Sequence, residues 1–130
     1  MEENRNVAEY IERTAKDNDL ILVELAEDHS RIEREIKENE YNILELVYGG
    51  VLFNAADVAA GITNLCSGGG GPTLNGSIDY LRPTKGVKKI VLESRLIKHG
   101  RSTSFIETDI FSEEGTLVAR ARFTYFQYSR

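Results

Sequence analysis

The sequence predicts an α+β fold in which an antiparallel sheet is wrapped around one long buried helix. Three observations carry this. Strand-like segments come in runs, first two and then four, instead of alternating with helices, which argues against a parallel α/β sheet. Residues 51–66 are apolar on every side, as in a helix with no face left for water. Residues 117–127 place Leu117, Ala119, Ala121, Phe123 and Tyr125 on one face and Arg120, Arg122 and Thr124 on the other, the alternation of a half-buried strand. An all-apolar helix beside such strands is buried best if the sheet curls around it.

Taken in order, residues 4–19 set Val7, Tyr10, Ile11, Thr14 and Ala15 at helical spacing among charges, and Asp17-Asn18-Asp19 ends that helix in a turn. Residues 20–26 are rich in strand formers. Residues 30–38 alternate around Ile32 and Ile36 and read as a strand exposed on one face. Residues 39–48 are ambiguous: Asn39 to Asn42 look like loop, yet Ile43, Leu44, Leu46 and Val47 are too apolar to sit wholly in water. Gly49-Gly50 opens the apolar helix, whose alanines Ala55, Ala56, Ala59 and Ala60 favour helix. Ser67, Gly68 to Gly71 and Pro72 stop it. Strands are predicted at 73–82, 87–98, 102–112 and 117–127. Pro83 to Gly86, His99 to Arg101 and Glu113 to Gly115 separate them.

The length of 130 residues suits one domain over residues 1–130, with no linker and no internal repeat. With 41% hydrophobic and 28% charged residues the chain has the composition of a folded protein. A net charge of −5 without a long basic run makes it a poor general nucleic-acid binder. The single cysteine, Cys66, excludes an internal disulfide and a multi-thiolate metal site. With only His29 and His99, a His-rich zinc site is hard to build, and no metal is expected. The polar start Met1 to Arg5 lacks the apolar core of a signal peptide. The longest apolar stretch, 51–67, carries Asn54, Asp57, Thr63 and Asn64, so no membrane span is expected and the cytoplasm is the expected compartment.

Two features stand out chemically. Asp57 is the only charged residue between Val51 and Gly71. It is either an interior carboxylate paired with a donor or facing an exposed stripe, or a carboxylate at a pocket wall, where desolvation would make it a better base or nucleophile. Gly49 and Gly50 are either a tight turn into the helix or an anion site, where free N–H groups at its positive end receive a developing oxyanion. The two features lie eight residues apart, about 12 Å along a helix, too far for both to touch one carbonyl. If both act on one substrate, each must meet its partner across a subunit interface, which implies a two-fold dimer with two sites.

Other motifs are weaker. The run Gly68 to Gly71 follows a helix and ends in Pro72-Thr73, the wrong context for a phosphate loop. Arg82, Lys85, Lys88 and Lys89, and the turn Lys98-His99-Gly100-Arg101, are local positive patches able to hold phosphates or simply solvated. Cys66 reads as a packing residue, since no base is spaced for it.

Together, Asn42, Tyr48-Gly49-Gly50, Asp57, the stretch Asp79-Tyr80-Leu81-Arg82-Pro83, Gly100-Arg101, Glu114-Gly115 and Val118-Ala119-Arg120-Ala121 have an order and spacing that resemble the hotdog-fold acyl-CoA thioesterases of the phenylacetate-pathway (PaaI-like) type, over roughly residues 20–127. The resemblance implies a hotdog fold, dimers joined sheet edge to sheet edge and often paired into homotetramers, active sites between subunits, and acyl-CoA as substrate with no cofactor. It assigns polarisation of the thioester carbonyl to the Gly49 N–H, attack or activation of water to Asp57 of the other subunit, placement of carbonyl or water to Asn42, and orientation of water to Thr73. Tyr48 and Gly50 of the turn are expected to bind the substrate, and so are Arg82, Lys88, Lys98 and Arg101, as candidates for the CoA phosphates. Tyr48 departs from the pattern, because the family usually has His there. Tyr is larger and does not titrate near neutrality. A non-catalytic acyl-CoA-binding protein is therefore the alternative. A hydratase is disfavoured because Ile62 stands where that pattern wants His.

Overall fold

The computed structural model describes residues 2–127. The chain forms helix α1 (Glu2–Asp17), strands β1 (Leu20–Leu25) and β2 (His29–Glu35), a short 3-10 turn (Glu38–Glu40), helix α2 (Gly49–Cys66), and strands β3 (Thr73–Tyr80), β4 (Lys89–His99), β5 (Thr103–Ser112) and β6 (Leu117–Phe126). The strands make one sheet in the order β1-β2-β4-β5-β6-β3, with every pairing antiparallel. β1 and β3 are its free edges. α2 lies across the inner face, mainly against β4 and β5 and also against β2 and β6.

Small side chains set the depth of this packing. Ala55, Ala56, Ala59 and Ala60 are fully buried, and they meet Ile32, Ile90, Leu92, Ile106, Ile110, Ala119, Ala121 and Phe123 of the sheet. Hydroxyls that share this core satisfy one another: Ser30 with Thr63 at 2.6 Å and Ser94 with Thr108 at 2.7 Å. Burying them unpaired would cost a few kcal/mol each.

Local boundaries differ from the sequence reading in instructive ways. α1 stops at Asp17, and Asp19 turns the chain with a φ of 60°. α2 begins at Gly49, so the two glycines form its first turn instead of preceding it. α2 is also not buried all round: Asp57, Val58, Gly61 and Leu65 form a half-exposed stripe, and Asn54 is exposed. The ambiguous segment 39–48 is a loop closed by a bridge between Tyr41 and Val47. Val47 is buried, but Ile43 is 97% exposed, contrary to the expectation from its hydrophobicity. The reason is the turn itself. Asn42 Oδ1 accepts the N–H groups of Leu44 at 2.9 Å and Leu46 at 3.1 Å, and this holds the tip outward. Arg34 reaches from β2 to Glu40 with two hydrogen bonds of 2.8 and 2.6 Å, which pins the chain entering this loop.

The outer face of the sheet is a lattice of charges. Glu107 and Asp109 of β5 are 7% and 6% exposed beneath arginines of both neighbouring strands. Arg95 binds both carboxylates, Arg122 binds Glu107 at 2.7 Å, and Arg120 holds Asp109 at 2.6 and 3.1 Å. Burial by itself would raise the Asp109 carboxyl, but the hydrogen bonds from Arg120 and Arg95 outweigh it and hold the group below its ordinary value of 3.8. A carboxylate depressed in the folded state adds stability that is present above the unfolded value and lost as pH falls through the folded one. Asp109→Asn should therefore lower stability at pH 7 by about 2 kcal/mol. It should also flatten the fall in Tm expected of the wild type below about pH 4. Melting curves of both proteins from pH 7 to pH 2 check this.

Candidate functional site

The first half of the site is the N-terminus of α2. Tyr48, in extended conformation, caps the helix, and its carbonyl accepts the N–H groups of Val51 at 3.0 Å and Leu52 at 3.4 Å. Gly49 and Gly50 come earlier, so helix geometry leaves their N–H groups without an intrahelical acceptor, at the positive end of the helix dipole. Gly49 has a steric reason to be glycine. Tyr80 Oη donates to its carbonyl at 2.8 Å, and a Cβ on residue 49 would stand 2.9 Å from that oxygen. Gly50 is exposed, with nothing within 4 Å of such a position. The Tyr48 side chain is half exposed. Asn42 lies in the preceding loop. Its side-chain oxygen is committed to the turn, which leaves the amide NH2 group to donate.

The second half surrounds Asp57. This carboxylate is paired and also stands on the half-exposed stripe. Its Oδ1 accepts from Tyr125 Oη at 3.0 Å and Thr73 Oγ1 at 3.2 Å. Tyr125 Oη also lies 3.0 Å from the Asp57 main-chain carbonyl, so its one proton is shared between two acceptors. Burial, and then the adjacent Asp57 charge, push the Tyr125 phenol far above its ordinary value, so it stays a donor. Both donors bind the same carboxylate oxygen, so Oδ2 is open to other partners. Asp57, Thr73 and Tyr125 line one end of a cleft of about 340 Å³ that runs along α2 to Tyr10 and Thr14 of α1.

Within one chain the two halves stay apart, two turns of α2 from each other, and β3 runs between them, touching the first through Tyr80 and the second through Thr73. The basic residues divide in the same way. Arg82 and Lys88 lie near the Tyr80 end of β3, where Arg82 donates to the Leu117 carbonyl at 2.7 Å. Lys98 and Arg101 lie at the opposite end of β4, roughly 30 Å away. Cys66 is half-buried at the end of α2, and burial pushes its thiol up, which suits a packing residue. Among the described residues, no three His, Cys, Asp or Glu side chains cluster in a way that could hold a metal ion, and no helix is long and apolar enough to cross a membrane.

Sequence reasoning missed two residues of this arrangement. Tyr125 reads simply as the last inward residue of its strand, and Tyr80 as part of a longer stretch. A signal was present for Tyr125, since a buried tyrosine hydroxyl needs an acceptor, and Asp57 is the one carboxylate on the helix it faces.

A family model described as the thioesterase superfamily matches residues 44–119. Mouse acyl-coenzyme A thioesterase 13 is 26% identical over 106 residues, which covers 79% of this chain and 76% of that one. The E. coli PaaI protein of the phenylacetic acid degradation operon has the same fold, with a TM-score of 0.87 at 19% identity over 96% of this chain and 95% of that one. So has a hypothetical thioesterase protein of Streptococcus pneumoniae TIGR4 solved with coenzyme A, with a TM-score of 0.86 at 24% identity over 94% of this chain and 97% of that one. The Streptococcus protein has also been solved as two alanine variants, of an aspartate and of a threonine, at 25% identity to this chain. Those two residues are sixteen apart in sequence, the spacing of Asp57 and Thr73 here.

The Tyr125–Asp57 contact carries its own test. Tyr125→Phe removes one hydrogen bond from a buried site and should lower stability by about 1 kcal/mol. Thr73→Ala, at an exposed position, should cost less. Thermal unfolding of the two variants gives that order, and a Tyr125→Phe protein that melts like the wild type would mean the bond has no net worth.

Proposed function

The chain belongs to the thioesterase superfamily and is a thioester hydrolase; on that premise we propose that it hydrolyses acyl-CoA to free acid and CoA, at a site shared by two copies of itself. One observation carries the shared site. Thr73 and Tyr80 are the two ends of the free-edge strand β3, and they touch Asp57 and Gly49 respectively. Antiparallel pairing of β3 with the β3 of a second copy, about a two-fold axis near its middle, exchanges those ends. Gly49 of one subunit then lies beside Asp57 of the partner subunit. The open edge invites such pairing, with Leu74, Tyr80 and Leu81 exposed along and just beyond it. The same operation brings Arg82 and Lys88 of one subunit to the side that carries Lys98 and Arg101 of the partner subunit, where the CoA phosphates would lie. A pair of such dimers would form a homotetramer.

In this reading the thioester carbonyl oxygen rests on the Gly49 N–H, and Gly50 keeps the approach open. The helix dipole stabilises the negative charge that develops on that oxygen. Asp57 either takes a proton from water, so that hydroxide adds to the carbonyl carbon, or attacks that carbon itself to form an anhydride that water then cleaves. In both routes the C–S bond breaks, the electron pair leaves with CoA thiolate, and the thiolate is then protonated. Thr73 and Tyr125 hold the carboxylate, and Thr73 also orients the water. The Asn42 amide helps place the carbonyl or the water. The chemistry requires neither metal nor cofactor. Tyr48, in place of the family's His, favours one alternative, an acyl-CoA-binding protein without turnover.

Asp57→Asn should leave fold and assembly intact, because the amide has nearly the same shape and burying it costs less than burying a charge. Thioesterase activity should fall about 10²–10⁴-fold. Thiol release measured with Tm and sedimentation on one preparation decides this, and near-normal turnover would remove Asp57 from the mechanism and leave the binding reading. The shared site makes a separate prediction. Gly49→Val and Asp57→Asn should each inactivate their own homodimer, yet a co-expressed mixed dimer should regain activity, since it contains one site with both residues intact. A site built within one chain gives no such recovery.

A further inference from the structure

Gly61 occupies a position in α2 that the fold does not require to be glycine. Inside a helix glycine is less favourable than alanine, and here Ala59 and Ala60 precede it. It does not have a positive φ, and a Cβ added to it would meet only Tyr125 Oη, at an ordinary 3.8 Å. No packing contact excludes a methyl group. The missing side chain instead leaves open space in the cleft of about 340 Å³, one turn beyond Asp57 on the same helix face. Across that space the wall is α1, with Tyr10 53% exposed.

We propose that this cleft is the acyl chamber, that it takes an uncharged apolar acyl group, and that Gly61 and Tyr10 set how large that group can be. The inference rests on the hydrolase reading above. A thioester carbonyl within reach of Asp57 places the first acyl carbons over residue 61, since residues four apart on a helix are neighbours. Beyond them the walls are mostly apolar, Val58, Ile62, Leu65 and the Tyr10 ring, with Thr14 and Asn64 as uncharged polar neighbours. No Lys, Arg or His lines the cleft among the described residues, and its one charge is Asp57. A terminal carboxylate on the acyl group would therefore be desolvated without a counter-ion and repelled by Asp57. In the single chain the volume is at the small end of ligand pockets, which suits a short or medium chain or a single ring, not a long fatty acyl group.

The test is kcat/KM for acetyl-, butyryl-, hexanoyl-, octanoyl-, benzoyl- and succinyl-CoA with the wild-type protein and three variants. For the wild type, hexanoyl- or benzoyl-CoA should exceed succinyl-CoA by about 10-fold or more. Gly61→Leu should cut the hexanoyl-to-acetyl ratio by about 10-fold or more, and Gly61→Ala should cut it less while raising Tm. Tyr10→Ala should move the preferred chain length upward. A helix glycine with a purely structural role would alter Tm without moving the ratio, and opposite shifts at residues 61 and 10 support a common chamber. If Gly61→Leu does not assemble, the ratios for Gly61→Ala and Tyr10→Ala decide. Turnover by the wild type with the ratio unmoved in the variants, or with succinyl-CoA as good as hexanoyl-CoA, overturns this inference alone. Absence of hydrolysis with every one of these substrates overturns the hydrolase proposal and this inference with it.

Discussion

The close approach of α2 to the sheet governs everything else in this fold. Four buried alanines allow the helix backbone to lie against β4 and β5 where larger side chains would hold it off. Ile90, Leu92, Ile106 and Ile110 fill the remaining space, at a density where a single methyl group matters. With the helix set at that depth, its first turn comes under Tyr80 and its ninth residue comes under Tyr125. Both contacts are hydrogen bonds of ordinary length, so neither needs the helix to bend.

β3 connects the two ends. Among the described residues it pairs only with β6, which leaves its other edge open. Because Thr73 touches Asp57 and Tyr80 touches Gly49, the strand works as a ruler for the distance between those two residues of α2. That distance cannot be closed within one chain, because a straight helix keeps its residues at about 1.5 Å rise. In the function proposed above, one event, pairing with a second copy, would both extend the open sheet edge and bring the two separated regions together.

Polar groups are paired differently on the two faces of the sheet. Inside, hydroxyls pair with hydroxyls, and Asp57 is held by two of them. Outside, Glu107 and Asp109 are covered by arginines from β4 and β6. This division leaves α2 with a single carboxylate on the stripe that lines the cleft.

The order of elements, the apolar helix and the alternation in β6 are local patterns, so the sequence determined them unaided. Periods of 3.6 and 2 record which side of an element meets water, and that record is written residue by residue. Asp57 was visible for the same reason, as a charge alone in an apolar run, and the distance from Gly49 to Asp57 followed from helix geometry. Tertiary structure alone decided that residues 57, 73 and 125 meet, because their contact depends on strand order and register between segments far apart in the chain. It also decided that Ile43 stands in water, since the Asn42 turn outweighs the preference of one side chain. And it decided that Gly61 opens a cleft, because a glycine in a sequence carries no sign of what its missing side chain leaves empty.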